Sequence, residues 1–396
     1  MLRKTMGLPA VAAEVDAGLV EVGCAFDHLI DVTPVDVEDA RAGFRAAGCA
    51  EEPTFHYRPL TYDPAALRHQ LAGLPVDEVE DPALSALFAA KRRELDCELR
   101  LVEQRNTGAF LPTSLELYGG LEPELLATAE GVLDRARHVV AAREDCTLVP
   151  APAFARRAVE EIDHYRSQWP SVHATVTLRD DLPGVMVSDG QLLIGRRLAL
   201  EPRRVEALIH HEVGTHVVTH ENGRAQPLQL LQVGLPGADE TQEGLAVLAE
   251  FLVGGLTAAR LALLAARVVA VDRLLAGDPF AAAFRRLHRH YEFPPGPAFR
   301  VVMRVYRSGG LTKDAIYLRG LERLLSHLGA GRSLERLLMG KLDLLHVPVL
   351  DELAGCGLLG PVPLRPRWLD HPGAGDGLTR LRAGFSLEDL WHEVCR

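Results

Sequence analysis

A chain of 396 residues, 47% hydrophobic and 24% charged, has the composition of a folded globular protein, and its length points to two or three units around a large core. The formal net charge of −11, with no run of lysines and arginines long enough to follow a phosphate backbone, argues against nucleic acid as a partner. Six scattered cysteines (Cys24, Cys49, Cys97, Cys146, Cys356 and Cys395), none in a C-x-x-C pair, suggest neither a disulfide framework nor a thiolate zinc site, and fit a reducing cytoplasm.

At the N-terminus Arg3 and Lys4 precede a short apolar patch, which Glu14 and Asp16 interrupt before a signal-peptide core can form. From Val35 to about Arg143 the pattern is mostly helical. "DVEDARAGFRAAG" and "PALSALFAAKRRELDCELRLVEQRNTGAF" carry apolar residues at three- and four-residue spacing, and the proline-marked connector "PTFHYRPLTYDP" separates them. Residues 1–145 therefore read as a mainly helical subdomain, and residues 146–396 as the part that carries the chemistry.

A helix over "ARRAVEEIDHYRSQW" is followed by a change to alternation. "HATVTLRDD" and "GVMVSDGQLLIG" predict two or three short strands, with Ser188-Asp189-Gly190 as an Asp-Gly turn. "EPRRVEALIHHEVGTHVVTHENG" then predicts a helix that opens at Pro202 and stops at Asn222-Gly223. After the turn-rich "QVGLPGAD", the stretch from Glu240 to Gly277 predicts one long helix or two, with a weak point at Gly254-Gly255. The most apolar region, Leu245 to Leu275, lies within it, but Glu250, Arg260, Arg267 and Asp272 interrupt that run, leaving nothing near the roughly 20 apolar residues of a membrane span. Further helices are expected over "LERLLSHLGA" and "SLERLLMGKLDLLH". A proline-rich passage and a last short helix at "SLEDLWHEV" complete the chain.

The chemistry concentrates in "HHEVGTHVVTH", His210 to His220. Zinc takes neutral imidazoles and carboxylates, and a catalytic site keeps one position open. On a regular helix a four-residue spacing leaves two side chains about 40° apart, but the five residues from His211 to His216 give about 140°. A π-bulge, eased by Gly214, would bring the two histidines together. Glu212, His216 and His220, spaced four and four, would share a face without any bulge. A polar helix that carries its histidines by chance remains the plain alternative, and His210 is expected to face solvent.

Read with "QEGLA", Gln242 to Ala246, the motif resembles the bacterial flavohaemoglobin expression-modulating QEGLA-motif proteins. Their animal relatives are the microtubule-associated tyrosine carboxypeptidases, zinc enzymes with an H-E-x-x-x-H helix. "FHYRPLTYDP", "GVMVSDGQLLIG" and "RVYRSGGLTKDAIYLRGL" extend the resemblance over most of the chain. It implies His211, His216 and Glu243 as zinc ligands, with Glu212 left free as general base. Glu240 and Glu250 are the rival third ligands. The implied fold is α+β and predominantly helical, with a zincin-like core and a small sheet beside the motif helix.

A carboxypeptidase must also neutralise its substrate's terminal carboxylate and benefits from a donor at the developing oxyanion. In "RVYRSGGLTKDAIYLRG" these roles point to Arg307 or Lys313 for the carboxylate and to Tyr317 as donor. The expectation is thus a cytoplasmic zinc carboxypeptidase acting on a peptide or protein C-terminal tail. The competing expectation is a non-catalytic regulatory or binding protein whose metal helix is structural.

Overall fold

The computed structural model describes residues 7–140 and 147–395. Arg3, Lys4, Arg143, Cys146 and the expected boundary between residues 145 and 146 lie outside the described residues. Helix accounts for 65% and strand for 4%, in small sheets, so the α+β, predominantly helical class holds.

Local chemistry explains most element starts. Asp81 caps Pro82–Glu103 by accepting from the amides of Ala83 and Leu84, and Thr257 caps Ala258–Leu275 by accepting from Arg260. Pro202 sits in the first turn of its helix, as expected. The Glu240–Gly277 stretch divides into Ala238–Leu252 and Ala258–Leu275 at Gly254, whose φ is +70°. Asp189 and Gly190, both at positive φ, join the antiparallel strands Val185–Ser188 and Gln191–Gly195. Val176–Arg179 adds in parallel to the other edge of Gln191–Gly195.

Five expectations need correction. Ala10–Cys24 is a helix, with Ala12, Val15, Leu19 and Val22 buried at helical spacing, where only an apolar patch was read. The long pattern from Pro82 stops at Glu103, and Phe110 opens a separate helix. The motif helix runs through Asn222 and Gly223 to Arg224, because the Asn222 side chain bonds Leu338 and Leu364 and does not close the helix. "SLERLLMGKLDLLH" forms only 3₁₀ turns at Glu335–Leu338 and Leu344–His346. There the backbone is diverted into pairing, since Lys341 N donates to Leu231 O and Leu235 N donates to Lys341 O. Finally, the proline-rich passage gives way to a helix at Ala374–Arg382.

Two hydrophobic clusters frame the motif helix. The larger one gathers residues from Ala12 to Trp391 and includes the Ala238–Leu252 helix. The smaller packs Ile209, Val213 and Val217 of the motif helix against Leu192 and Ile194 of the central strand and Phe154, Ile162 and Tyr165 of Ala151–Gln168. The motif helix is thereby wedged between the sheet and the helix that bears Glu243.

Candidate metal centre

The motif helix is regular from Pro202 to His211, widens into a π-turn over Glu212–Val217, and returns to α-geometry from Val218 to Arg224. This is the correction that the five-residue spacing required. The His211 and His216 rings stand 5.1 Å apart between centroids. Glu243 Oε2 lies 3.5 Å from His211 Nε2 and 3.7 Å from His216 Nε2. Among the described residues this is the one group whose ligand atoms all fall within 4.8 Å. The straight-helix set of Glu212, His216 and His220 does not form. His220 instead sits beneath Gly190, with Nδ1 3.2 Å from Gln232 O.

Two nitrogens and a carboxylate oxygen fit a zinc-type donor set. The fit has an independent mark. Glu243 Oε2 is buried without a hydrogen-bond partner, and its contacts to both imidazoles are longer than a good hydrogen bond, as if a third atom belonged between them. The other oxygen, Oε1, is 3.3 Å from Lys313 Nζ. Burial pushes the Glu243 carboxyl up, but Lys313 and the two histidines hold it well below the usual range, so it is ionised.

Glu250 lies outside this group. Fully buried, it accepts from His211 Nδ1 at 2.8 Å, from Arg204 at 2.7 Å and from Arg260 at 2.9 and 3.1 Å. That contact fixes the His211 ring and leaves Nε2 toward Glu243. Burial disfavours the His211 imidazolium, yet Glu243 and Glu250 outweigh it and lift the ring to about 9 without metal. An ion would therefore have to displace a proton. Glu240 is occupied elsewhere, by ion pairs with Arg319 and Arg323.

Glu212 is buried beside the histidines, and burial raises its carboxyl, although His211 and His216 pull it back. His210 does not face solvent as expected. It is 7% exposed, and its Nδ1 lies buried and unpartnered.

"QEGLA" earns its spelling through contacts. Gln242 Oε1 accepts from Thr219 Oγ1 at 2.7 Å, tying the two helices of the site together. Gly244 permits close crossing with Ile316–Gly329: a Cβ there would lie 2.4 Å from the backbone of Gly320, and one on Gly320 would lie 2.0 Å from Glu240 O. This crossing brings Tyr317 and Lys313 to the site. The Tyr317 ring lies under Arg267 at 4.4 Å and 5.5 Å from Lys313 Nζ. Lys313 also pairs with Asp239 at 3.3 Å. Burial disfavours its charge, but Asp239 and Glu243 more than restore it. Arg307 is drawn elsewhere. Buried, it donates to Thr33 Oγ1, and burial and Arg304 lower it to about 10.

A cavity of about 890 Å³ is lined by Asp239 and Glu240, one helical turn before Glu243, and Asp239 shares Lys313 with that glutamate. Its walls come from both halves of the chain: Asp27, His28, Glu98 and Tyr118 on one side, Asp189 and Lys341 on the other. Sequence reasoning missed the partner role of Glu250, although two helical turns from Glu243 to Glu250 keep one face, and it missed Asp239 as the second carboxylate on Lys313.

The sequence profile of the microtubule-associated tyrosine carboxypeptidases matches residues 42–383. The chain belongs to this family. Membership agrees with the resemblance carried by "HEVGTH" and "QEGLA". No curated protein matches. A solved "putative lipoprotein" from Colwellia psychrerythraea is similar at a TM-score of 0.44 and 14% identity, over 79% of this chain. The chain spans 66% of that protein's length, slightly under two thirds.

Proposed function

We propose that the chain is a zinc-dependent peptidase that removes a C-terminal residue from a peptide or protein tail. The observation that carries this reading is the orphaned Glu243 Oε2 between two imidazoles, with the uncommitted Glu212 beside them. Family membership supports a carboxypeptidase-like hydrolase. The sheet-then-helix order around the motif supports a zincin-like core, with residues 1–145 as a helical subdomain that walls the cavity and residues 146–396 as the catalytic part. Five free cysteines among the described residues favour a reducing, cytoplasmic setting, and no described helix is long and apolar enough to cross a membrane.

His211, His216 and Glu243 would hold the ion. When bound, zinc would supply Lewis acidity, lowering the pKa of water toward about 7 and polarising a carbonyl. Glu212 takes the proton from the attacking water. Its buried carboxyl retains that proton until the amine departs, then delivers it. Tyr317 donates to the carbonyl oxygen as charge develops; burial and Glu243 raise its phenol, so it keeps the proton that it must donate. Lys313 meets the terminal carboxylate, which competes with Asp239 for the ammonium; Arg307, bonded to Thr33, is the alternative anchor. A free base beside the triad favours catalysis over a structural metal helix.

Glu212→Gln tests this directly. Zinc content should stay at the wild-type level while release of C-terminal residues from a peptide library, followed by mass spectrometry, falls about 10²–10⁴-fold. Zinc-loaded wild type that releases nothing, or a Glu212→Gln variant with the wild-type rate, would overturn the reading.

A further inference from the structure

The spacing of His211 and His216 is workable only while the motif helix keeps its π-turn. Such a turn is costly on its own, because it widens the helix and disturbs the i+4 pairing of its carbonyls. Four carbonyls in or beside this turn receive side-chain donors, two of them, Thr215 O at 2.8 Å and His216 O at 3.3 Å, from Thr219 Oγ1 on the same helix. Thr215 Oγ1 donates to His210 O at 2.9 Å, a bond local to the helix. Trp368 Nε1 donates to Gly214 O at 3.1 Å, from a fully buried indole far along the chain. Gly214 suits that approach, since a Cβ there would lie 3.1 Å from Trp368 Cδ1 and 3.1 Å from His210 Nδ1.

The segment that delivers Trp368 is fixed to the same helix and its neighbour. Asn222 accepts from Leu364 N at 2.9 Å and donates to Leu364 O at 2.9 Å. Arg367 N donates to Tyr165 Oη at 2.9 Å, and its guanidinium reaches the buried Glu161 at 2.8 Å. These bonds hold residues 364–368 as a strap along the motif helix, with the indole N–H placed between the two histidine positions.

We propose that Trp368 is a positioning residue, whose indole N–H holds the π-turn in the register at which His211 and His216 share one divalent ion. The proposal rests on the metal reading above. In the competing regular helix the two imidazoles stand about 140° apart and cannot meet at one ion. A contact made in only one of two states biases the equilibrium toward that state. By reciprocity, an ion at the triad must in turn strengthen the indole bond.

Trp368→Phe keeps a buried aromatic ring and removes the N–H. Zinc affinity, measured by competition against a chromophoric chelator, should weaken about 10-fold or more. The visible spectrum of the Co²⁺-loaded variant should change in position and intensity, because the ligand angles change. A residue that merely fills the core would lower the unfolding midpoint and leave both readouts untouched in the folded protein. A second measurement needs no Trp368 variant. In ¹⁵N-tryptophan-labelled wild type, the Trp368 indole resonance, distinguished by Trp169→Phe and Trp391→Phe, should shift on zinc titration. Wild-type affinity and Co²⁺ spectrum in Trp368→Phe, or an indole resonance indifferent to zinc, overturns the proposal and leaves the metal reading standing. Wild type that binds neither zinc nor cobalt overturns the metal reading and the proposal with it.

Discussion

Glu250→Ala would separate the proposed metal ligand, Glu243, from the residue that orients His211. Glu250 has no exposed surface and neutralises two guanidiniums, Arg204 and Arg260, while accepting from His211. Burial raises its carboxyl, but Arg260, Arg204 and His211 hold it well below the usual range, so the group is ionised in the native protein. Removing it leaves two largely covered guanidiniums, 17% and 11% exposed, without their counter-charge, a loss of up to about 3–5 kcal/mol. For a chain of 396 residues that corresponds to a melting midpoint roughly 5 °C lower. Freed from Glu250, the His211 ring can turn, and zinc affinity should fall about 10–100-fold without vanishing. Differential scanning calorimetry of the metal-free protein and a chelator competition titration measure the two effects separately. Glu243→Ala should instead abolish tight binding, since it removes a ligand atom. If Glu250→Ala lost all metal at unchanged stability while Glu243→Ala kept its zinc, the two glutamates would have to exchange roles.

The helix crossing and a buried histidine give two further tests. Gly320→Ala puts a Cβ 2.0 Å from Glu240 O, where backbone meets backbone, so the helices must part. We expect a loss of at least about 1–3 kcal/mol in urea denaturation, together with weaker zinc binding as Glu243 moves; wild-type values of both would contradict the close-crossing argument. His220 is held down to about 3, by burial and then by Lys341, so it folds neutral. A depressed histidine contributes stability that is complete above its unfolded value of 6.5 and is lost as pH falls toward 3. From pH 7.5 to pH 5 the loss should be on the order of 2 kcal/mol. His220→Gln should flatten that part of the pH–stability curve, and an unchanged slope would mean that His220 is not the group responsible.

Where local rules and the tertiary structure agreed, the sequence was legible. The Asp189-Gly190 turn, the start at Pro202 and the break at Gly254 each rest on a backbone preference that needs no distant partner. The π-turn was legible for a different reason: two histidines five residues apart pose a geometric demand that a regular helix cannot meet. Long-range pairing hid the rest. Residues 333–346 have helical periodicity, but a β-like exchange with Leu231 and Leu235 takes the Lys341 backbone, and a Cβ at Gly340 would stand 2.7 Å from Leu231. In Ala10–Cys24 a run of alanine and valine on every face blurs the helical stripe. Its buried Asp16 reaches Gln229 and Leu230, more than 200 residues away in the chain.

The charges around Glu243 show the same division between a side chain and its partners. Sequence chemistry could nominate Lys313 as a cation for a carboxylate, yet not reveal that two carboxylates already share it. Glu243 divides its oxygens, Oε1 toward Lys313 and Oε2 toward the histidines, so one residue couples the cation to the metal position. A substrate carboxylate that drew Lys313 away would leave Glu243 with more negative charge to offer an ion at Oε2. On the proposed carboxypeptidase reading, an anchor placed this way would serve two ends: it would seat the chain terminus and adjust the third ligand at the moment of binding. Arg307 is hydrogen-bonded to Thr33, whereas Lys313 contacts Glu243, so the proposed reading favours Lys313 of the two.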